Sequence, residues 1–208
     1  MAQQKHVRKQ QESSEAVVSE ILKAAASEFA SHGFEGASTR AIAERAGVFQ
    51  AQISYHIGTK DDLWRSTIDW LFKRLRNDLE QGFADQMDQP IDDASNAFAD
   101  IIRRHVKHTA QHPELSRIMS VEAAVATERT KYLLINHVKP TFAALRLIWA
   151  DVQAQGRGRG LEADDVFMLM IGLAPLPFAQ GPLMKSLVGK DRCHADAHAD
   201  AMVKLVLG

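Results

Sequence analysis

One cysteine, Cys193, is the whole thiol complement of this 208-residue chain. A lone cysteine closes no intrachain disulfide and assembles no Cys-based zinc site, so a reducing, cytoplasmic setting is expected. Charge of one sign is missing too: the formal net charge is −1. Residues 1–60 hold seven basic and six acidic side chains, and the remainder eighteen and twenty. No general attraction to polyanions follows, so any contact with nucleic acid must come from a local patch. The most apolar run, Val166 to Ala179, is too short to cross a bilayer and contains Pro175 and Pro177. The amino end carries basic residues without an apolar core and is not a signal peptide, so a soluble protein is expected.

Catalytic signatures are equally scarce. No G-x-S-x-G, P-loop or dinucleotide fingerprint occurs, and the Glu-x-x-His pairs of a helical di-iron bundle are absent. The glycine-rich stretch Gly156 to Gly160 lacks the strand-turn-helix context of a phosphate cradle and reads as a flexible loop. Neither catalysis nor a cofactor is expected. No alternating apolar-polar run of strand length occurs, and no internal repeat is visible.

Helical periodicity is what the chain has instead. Residues 1–12 are polar and aperiodic and read as a disordered arm, with Lys5, Arg8 and Lys9 solvated. Val17, Val18, Ile21, Leu22, Ala25 and Phe29 then recur at three- and four-residue steps, the mark of an amphipathic helix ended by Gly33 and Gly36. Ser38 or Thr39 can cap a second helix that runs to about Ala46, and Gly47 supplies a sharp turn. A third short helix occupies roughly 49–56. Thr59 caps a long fourth helix with Asp61 and Asp62 in its first turn and an apolar stripe to about Asp85. The spacing predicts further helices over about 91–111, 113–126, 128–155, 164–180 and 192–207. Pro140, inside the 128–155 pattern, predicts a kink, and Pro175 and Pro177 predict a bend or an early stop.

Within this frame, Thr39 to Leu63 reads as a helix-turn-helix. Ala41, Ile42, Ala46, Val48, Ile53 and Ile57 can form an apolar wedge, while Gln50, Gln52, Ser54, Tyr55 and His56 give the second helix a polar face. Such a helix suits the DNA major groove. Gln50 and Gln52 can read base edges, Gln favouring adenine; Tyr55 and His56 can donate to backbone oxygens, and Lys60 and the amides near it can hold phosphates.

The stretches ILKAAASEFASHGFEGAS, IAERAGV and YHIGTKDDL, in this order and spacing over about residues 17–64, closely resemble the TetR/AcrR family of transcriptional regulators. From HPELSRIMSVEAA through HVKPTFAALR to the final helix, the remainder looks like that family's effector domain. The resemblance implies an all-α protein of nine helices: a helix-turn-helix DNA-binding domain over 13–60, and a helical-bundle ligand-binding and dimerisation domain over 61–208. It implies a homodimer formed through the last two long helices, reading a near-palindromic double-stranded operator, and a repressor released by a small-molecule effector. The DNA-facing positions it implies are Thr39, Arg40, Phe49, Gln50, Ala51, Gln52, Ser54, Tyr55, His56 and Lys60.

Three positions depart from the family pattern. Phe49 replaces the usual small hydroxyl residue, so the usual cap is lost; Gln50 can take it over, or Phe49 can press on a thymine methyl or pack inward. Ser54 stands where a first tyrosine is common, and Ile57 replaces a frequent core phenylalanine. Phe49 and Ser54 are the features that favour the alternative, a helical small-molecule or metal sensor that no longer engages DNA.

Apolar side chains of the second domain are each readable as ordinary core, but as a group they can line the effector cavity that the resemblance implies. Met119, Phe142, Trp149, Phe167, Met170 and Phe178 are its expected walls, with His105, Glu122 and Arg146 as polar groups that orient a ligand. His105, His108 and His112 share one helix side at i, i+3 and i+7, but no carboxylate or cysteine lies within the same turn, so no metal site is expected. Val166–Ala179, apolar nearly all round, must be covered on more than one side. A two-fold dimer that also uses Ala201, Met202, Leu205 and Val206 of the last helix would cover it.

Overall fold

The computed structural model describes residues 2–84, 93–158, 160–188 and 194–208, and the side chains of all of these except 2–13, 81–84 and 188. The described residues are helical, with no strand among them. They divide into two compact units, Met1–Leu71 and Phe72–Gly208.

In the first unit, α1 (Ala2–Gly36) breaks its helical geometry at Gly33, which takes φ 66°. Its beginning at Ala2 differs from the disordered arm expected over 1–12. Gln, Lys, Arg and Glu are good helix formers, and no glycine or proline interrupts the run before Gly33. Helix α2 (Thr39–Ala46) is capped by Ser38, whose Oγ accepts the Ala41 N–H at 3.4 Å. Gly47 closes it with φ 67°, a left-handed turn that costs glycine nothing. Then follow α3 (Gln50–His56) and α4 (Lys60–Ala84). Ile21, Ala25, Phe29, Ile42, Ile53, Leu63 and Trp64 are buried, matching the wedge on Ile42 and Ile53. At the head of α4, Thr59 and Asp62 form a reciprocal capping box: Asp62 Oδ2 accepts the Thr59 N–H at 2.9 Å, and Thr59 Oγ1 accepts the Asp62 N–H at 3.2 Å. The Thr59 hydroxyl and N–H together hold the Asp62 carboxyl below its usual pKa.

Helix α4 runs unbroken past Leu71 into the second unit. That unit continues with α5 (Ala94–Gln111), α6 (Glu114–Glu122) and α7 (Glu128–Leu133), and then α8 (Lys139–Ala154) and α9 (Ala163–Met168). Helices α10 (Leu176–Ala179), α11 (Gly181–Val188) and α12 (Ala195–Leu207) complete it. Its core joins Phe98, Ile102 and Val106 of α5 to Trp149, Val152, Val166, Met170, Ala174, Met202 and Val206. Residues 85–92, 189–193 and Arg159, which include parts of the expected 91–111 and 192–207 spans, lie outside the described residues.

Several expectations change here. The 113–126 helix stops at Glu122, and α11 was not anticipated. Ahead of Pro140, where a kink was expected, lies a π turn over Leu134–Val138, with Lys139 N–H pairing back to Leu134, and Pro140 sits in the first turn of α8. A second π turn, Leu169–Leu173, interrupts the 164–180 helix before Pro175. Within the stretch expected as a flexible loop, Gly158 is buried against Trp149. Met202 and Val206, expected on the dimer face, are buried in the chain's own core, whereas Ala201 and Leu205 are exposed.

Candidate nucleic-acid interface and effector domain

Helix α3 exposes its start and its outer face. Phe49 is 82% and Tyr55 85% exposed, and Arg40, Gln50, Ala51 and Ser54 are exposed beside them. Phe49 offers no side-chain cap, and only the return half of a capping box is present: Gln52 Oε1 accepts the Phe49 N–H at 2.9 Å, while the Gln52 N–H pairs with the Phe49 carbonyl at 2.9 Å. Gln52, expected as a base reader, is therefore turned back onto its own backbone. Gln50 does not take the cap; its Nε2 donates to Thr39 Oγ1 at 3.0 Å and ties α3 to α2. Phe49 does not pack inward.

His56 is partly buried, with Nδ1 3.4 Å from Ser14 Oγ, and its ring meets the Tyr55 ring edge-on at 4.9 Å between centroids. Lys60, expected at a phosphate, donates from Nζ to the Glu35 carbonyl at 3.3 Å and lies 4.8 Å over the Phe34 ring. A cation beside the last carbonyls of α1 is favourably placed. Nothing in the pattern around Lys60 signalled Glu35, which lies 25 residues earlier. Arg45 donates to Ser27 Oγ and lies 3.8 Å from the buried Glu28 carboxylate, which fixes α2 on α1.

In the second unit the expected wall residues separate into groups. Trp149 is core: it packs on Phe98 with centroids 5.2 Å apart and donates from Nε1 to the Leu161 carbonyl at 3.2 Å. Met170 is core as well. Phe142 meets Phe167 at 5.1 Å, and the exposed Arg146 lies 5.7 Å from the Phe142 ring. Phe178 packs edge-on against His198 at 5.9 Å, and Met119 is partly buried. Glu122, expected to orient a ligand, is buried and accepts from Arg129 Nε at 3.1 Å. Arg129 was missed; its seven-residue offset from Glu122 is two helical turns, but the chain turns between α6 and α7 and hides that relation.

His105 and His108 of α5 and His112, which caps its end, face different partners. His105 donates from Nε2 to the Met170 carbonyl at 3.0 Å; burial drives its pKa from 6.5 to about 4, against the carbonyl's opposing pull. His108 Nδ1 pairs with Asp78 Oδ2 at 2.6 Å, leaving a buried Nε2 without a partner. His112 Nε2 accepts from Arg74 at 2.8 Å, and burial followed by the Arg74 charge lowers its pKa. No group of three His, Cys, Asp or Glu able to hold a metal occurs among the described residues. Among them no single helix is long and apolar enough to cross a membrane.

A helix-turn-helix with an exposed second helix, followed by a separate helical unit, defines a DNA-binding transcriptional regulator. Residues 21–67 match the model of bacterial regulatory proteins of the tetR family, and residues 95–206 match the tetracyclin repressor-like C-terminal domain. The chain belongs to the tetR family of regulators. It is 26% identical over 151 residues to the HTH-type transcriptional repressor KstR2 of Mycobacterium tuberculosis, covering 71% of this chain and 70% of that protein. Its fold is shared with the fatty acid degradation regulator FadR from Bacillus halodurans (TM-score 0.66, 21% identity, 92% of this chain and 94% of the other). FadR from Bacillus subtilis, solved in complex with stearoyl-CoA, is also similar (TM-score 0.67, 17% identity, 91% and 97% covered).

Proposed function

We propose that this regulator is a homodimeric repressor that holds a near-palindromic operator through two copies of α3 and releases it when a small apolar effector binds the second unit. The observation that carries the reading is the outer face of α3, where Tyr55 is 85% exposed beside exposed Arg40, Gln50 and Ser54. Tyr55 and Arg40 supply phosphate contacts that position the helix, and the start of α3 reads bases. Support for a second copy comes from apolar side chains left exposed along Met168, Ile171 and Leu173 and at Leu205. Exposed apolar side chains are a common mark of an association site, and an isologous two-fold contact is the commonest way to cover them. Met119, Phe142, Phe167 and Phe178, with Arg146 as polar partner, remain the effector-binding candidates; Glu122, Trp149 and Met170 serve the fold.

Continuity of α4 from Lys60 to Ala84 gives the two units a shared mechanical element. An effector that prefers the conformation unable to bind DNA weakens operator affinity by the same factor by which DNA weakens effector affinity, typically about 1–3 kcal/mol. Footprinting the protein on its own upstream region tests the reading. Two protected major-groove segments are expected, with centres about one DNA turn, or a multiple of it, apart. Uniform cleavage across the fragment, or one protected segment, would contradict it.

A further inference from the structure

At the start of α3 the side chains best suited to hydrogen-bond a base are already engaged. Gln52 Oε1 accepts the Phe49 N–H at 2.9 Å, and Gln50 Nε2 donates to Thr39 Oγ1 at 3.0 Å. The first bond fixes the opening turn of a helix only seven residues long whose N-cap residue has no polar side chain of its own. The second holds α3 on α2. Releasing either amide to reach a base would give up a bond the scaffold uses.

What these bonds leave projecting is apolar. Phe49 has extended backbone (φ −76°, ψ 144°), and its ring is 82% exposed although buried Ile42 and Ile53 lie in the same helix-turn-helix. Ala51 beside it is exposed as well. In the major groove only thymine offers an apolar handle, its C5-methyl group, and phenylalanine is one of the side chains that meet it. We propose that Phe49 reads thymine: the exposed ring, carried ahead of α3 on a backbone that the Gln52–Phe49 bond fixes, seats against a thymine 5-methyl group in each half-site. This specificity rests on the reading of α3 as the DNA-recognition helix. The operator then contains a thymine whose methyl group is required at symmetric positions.

Deoxyuridine lacks only that methyl group, so the upstream fragment amplified with dUTP in place of dTTP is the probe. Full-length protein is titrated against the dT and dU fragments at one salt concentration. Each methyl contact removed weakens binding about fourfold, and one per half-site about fifteenfold in a dimer. Wild-type protein is expected to show that ratio, and Phe49→Ala to bind the two fragments within about twofold of each other. Should Phe49→Ala bind too weakly to titrate, Phe49→Ser carries the comparison, its hydroxyl able to cap α3 but without an apolar group to meet the methyl: a dT/dU ratio smaller than wild type supports the proposal, and an unchanged ratio overturns it. Equal wild-type affinity for both fragments, or the full wild-type ratio in Phe49→Ala, overturns the thymine contact while leaving α3 as a DNA helix. No wild-type binding to the dT fragment overturns both.

Discussion

His105 donates its Nε2 proton to the carbonyl of Met170, 3.0 Å away, and that carbonyl needs it. In the π turn, Ala174 N–H reaches back to Leu169, so the next donor in register for Met170 would be Pro175, which has no N–H. Pro177 likewise cannot serve the Leu173 carbonyl four residues before it. His198 Nε2 lies 3.3 Å from that oxygen and 3.1 Å from that of Ala174. Two prolines open the ladder and two histidines from other helices close it.

A pH dependence follows from His105. Its pKa falls from 6.5 to about 4 in the folded chain, so between those values the unfolded chain binds a proton that the folded chain refuses. The neutral-state stability is complete above pH 6.5 and drains away as the pH falls towards 4. The total loss is on the order of 3 kcal/mol, with about 2 kcal/mol gone by pH 5. His112, also lowered, acts in the same direction. Urea midpoints at pH 7 and pH 5 check this: His105→Gln should show a smaller acid loss than wild type by about 2 kcal/mol.

Gly158 has φ +64°, and a Cβ built there would overlap Cη2 and Cζ2 of the Trp149 indole. Gly158→Ala therefore meets both backbone strain and overpacking against a buried ring, together about 2–4 kcal/mol. Its thermal midpoint should lie on the order of 10 °C below wild type, whereas Gly160→Ala, with nothing near its Cβ and only the φ penalty, should fall much less.

Arg129 neutralises the buried Glu122 carboxylate at 3.1 Å. Removing it in Arg129→Met leaves that charge unpaired and should destabilise the chain by about 3–5 kcal/mol. The double variant Glu122→Leu/Arg129→Met should recover most of the loss, because an apolar pair of similar size needs no compensating charge. Chemical denaturation of the three proteins separates this structural ion pair from a ligand-orienting carboxylate, for which Arg129→Met would leave stability near wild type.

The first unit was legible in the sequence because its determinants are local. Gly33 and Gly47 do take positive φ, Thr59 and Asp62 do cap α4, and Ile42 and Ile53 do form the buried wedge. Harder to see were engagements that join residues by side-chain reach: Gln52 folding back on Phe49, and Lys60 spanning to Glu35. A polar residue on an exposed face can serve the groove or its own backbone, and residue type does not distinguish them. In the second unit the apolar stripe of α12 told that the helix is covered without telling by what. Met202 and Val206 meet the chain's own core, while Leu205 faces outward. The π turns escaped because helical periodicity averages over one inserted residue, although Pro140 and Pro175 placed each disturbance within a turn.

The most direct test of α3 as the DNA-reading element is an anisotropy titration of the labelled upstream fragment with wild type, Arg40→Ala and Tyr55→Ala. Both side chains are exposed, so the variants should retain the helical circular dichroism and mass of the wild-type assembly. Each should bind at least about tenfold more weakly, the loss of one charge-assisted phosphate bond per half-site, and Arg40→Ala should also flatten the salt dependence. Affinity and salt slope equal to wild type in both variants would contradict the account.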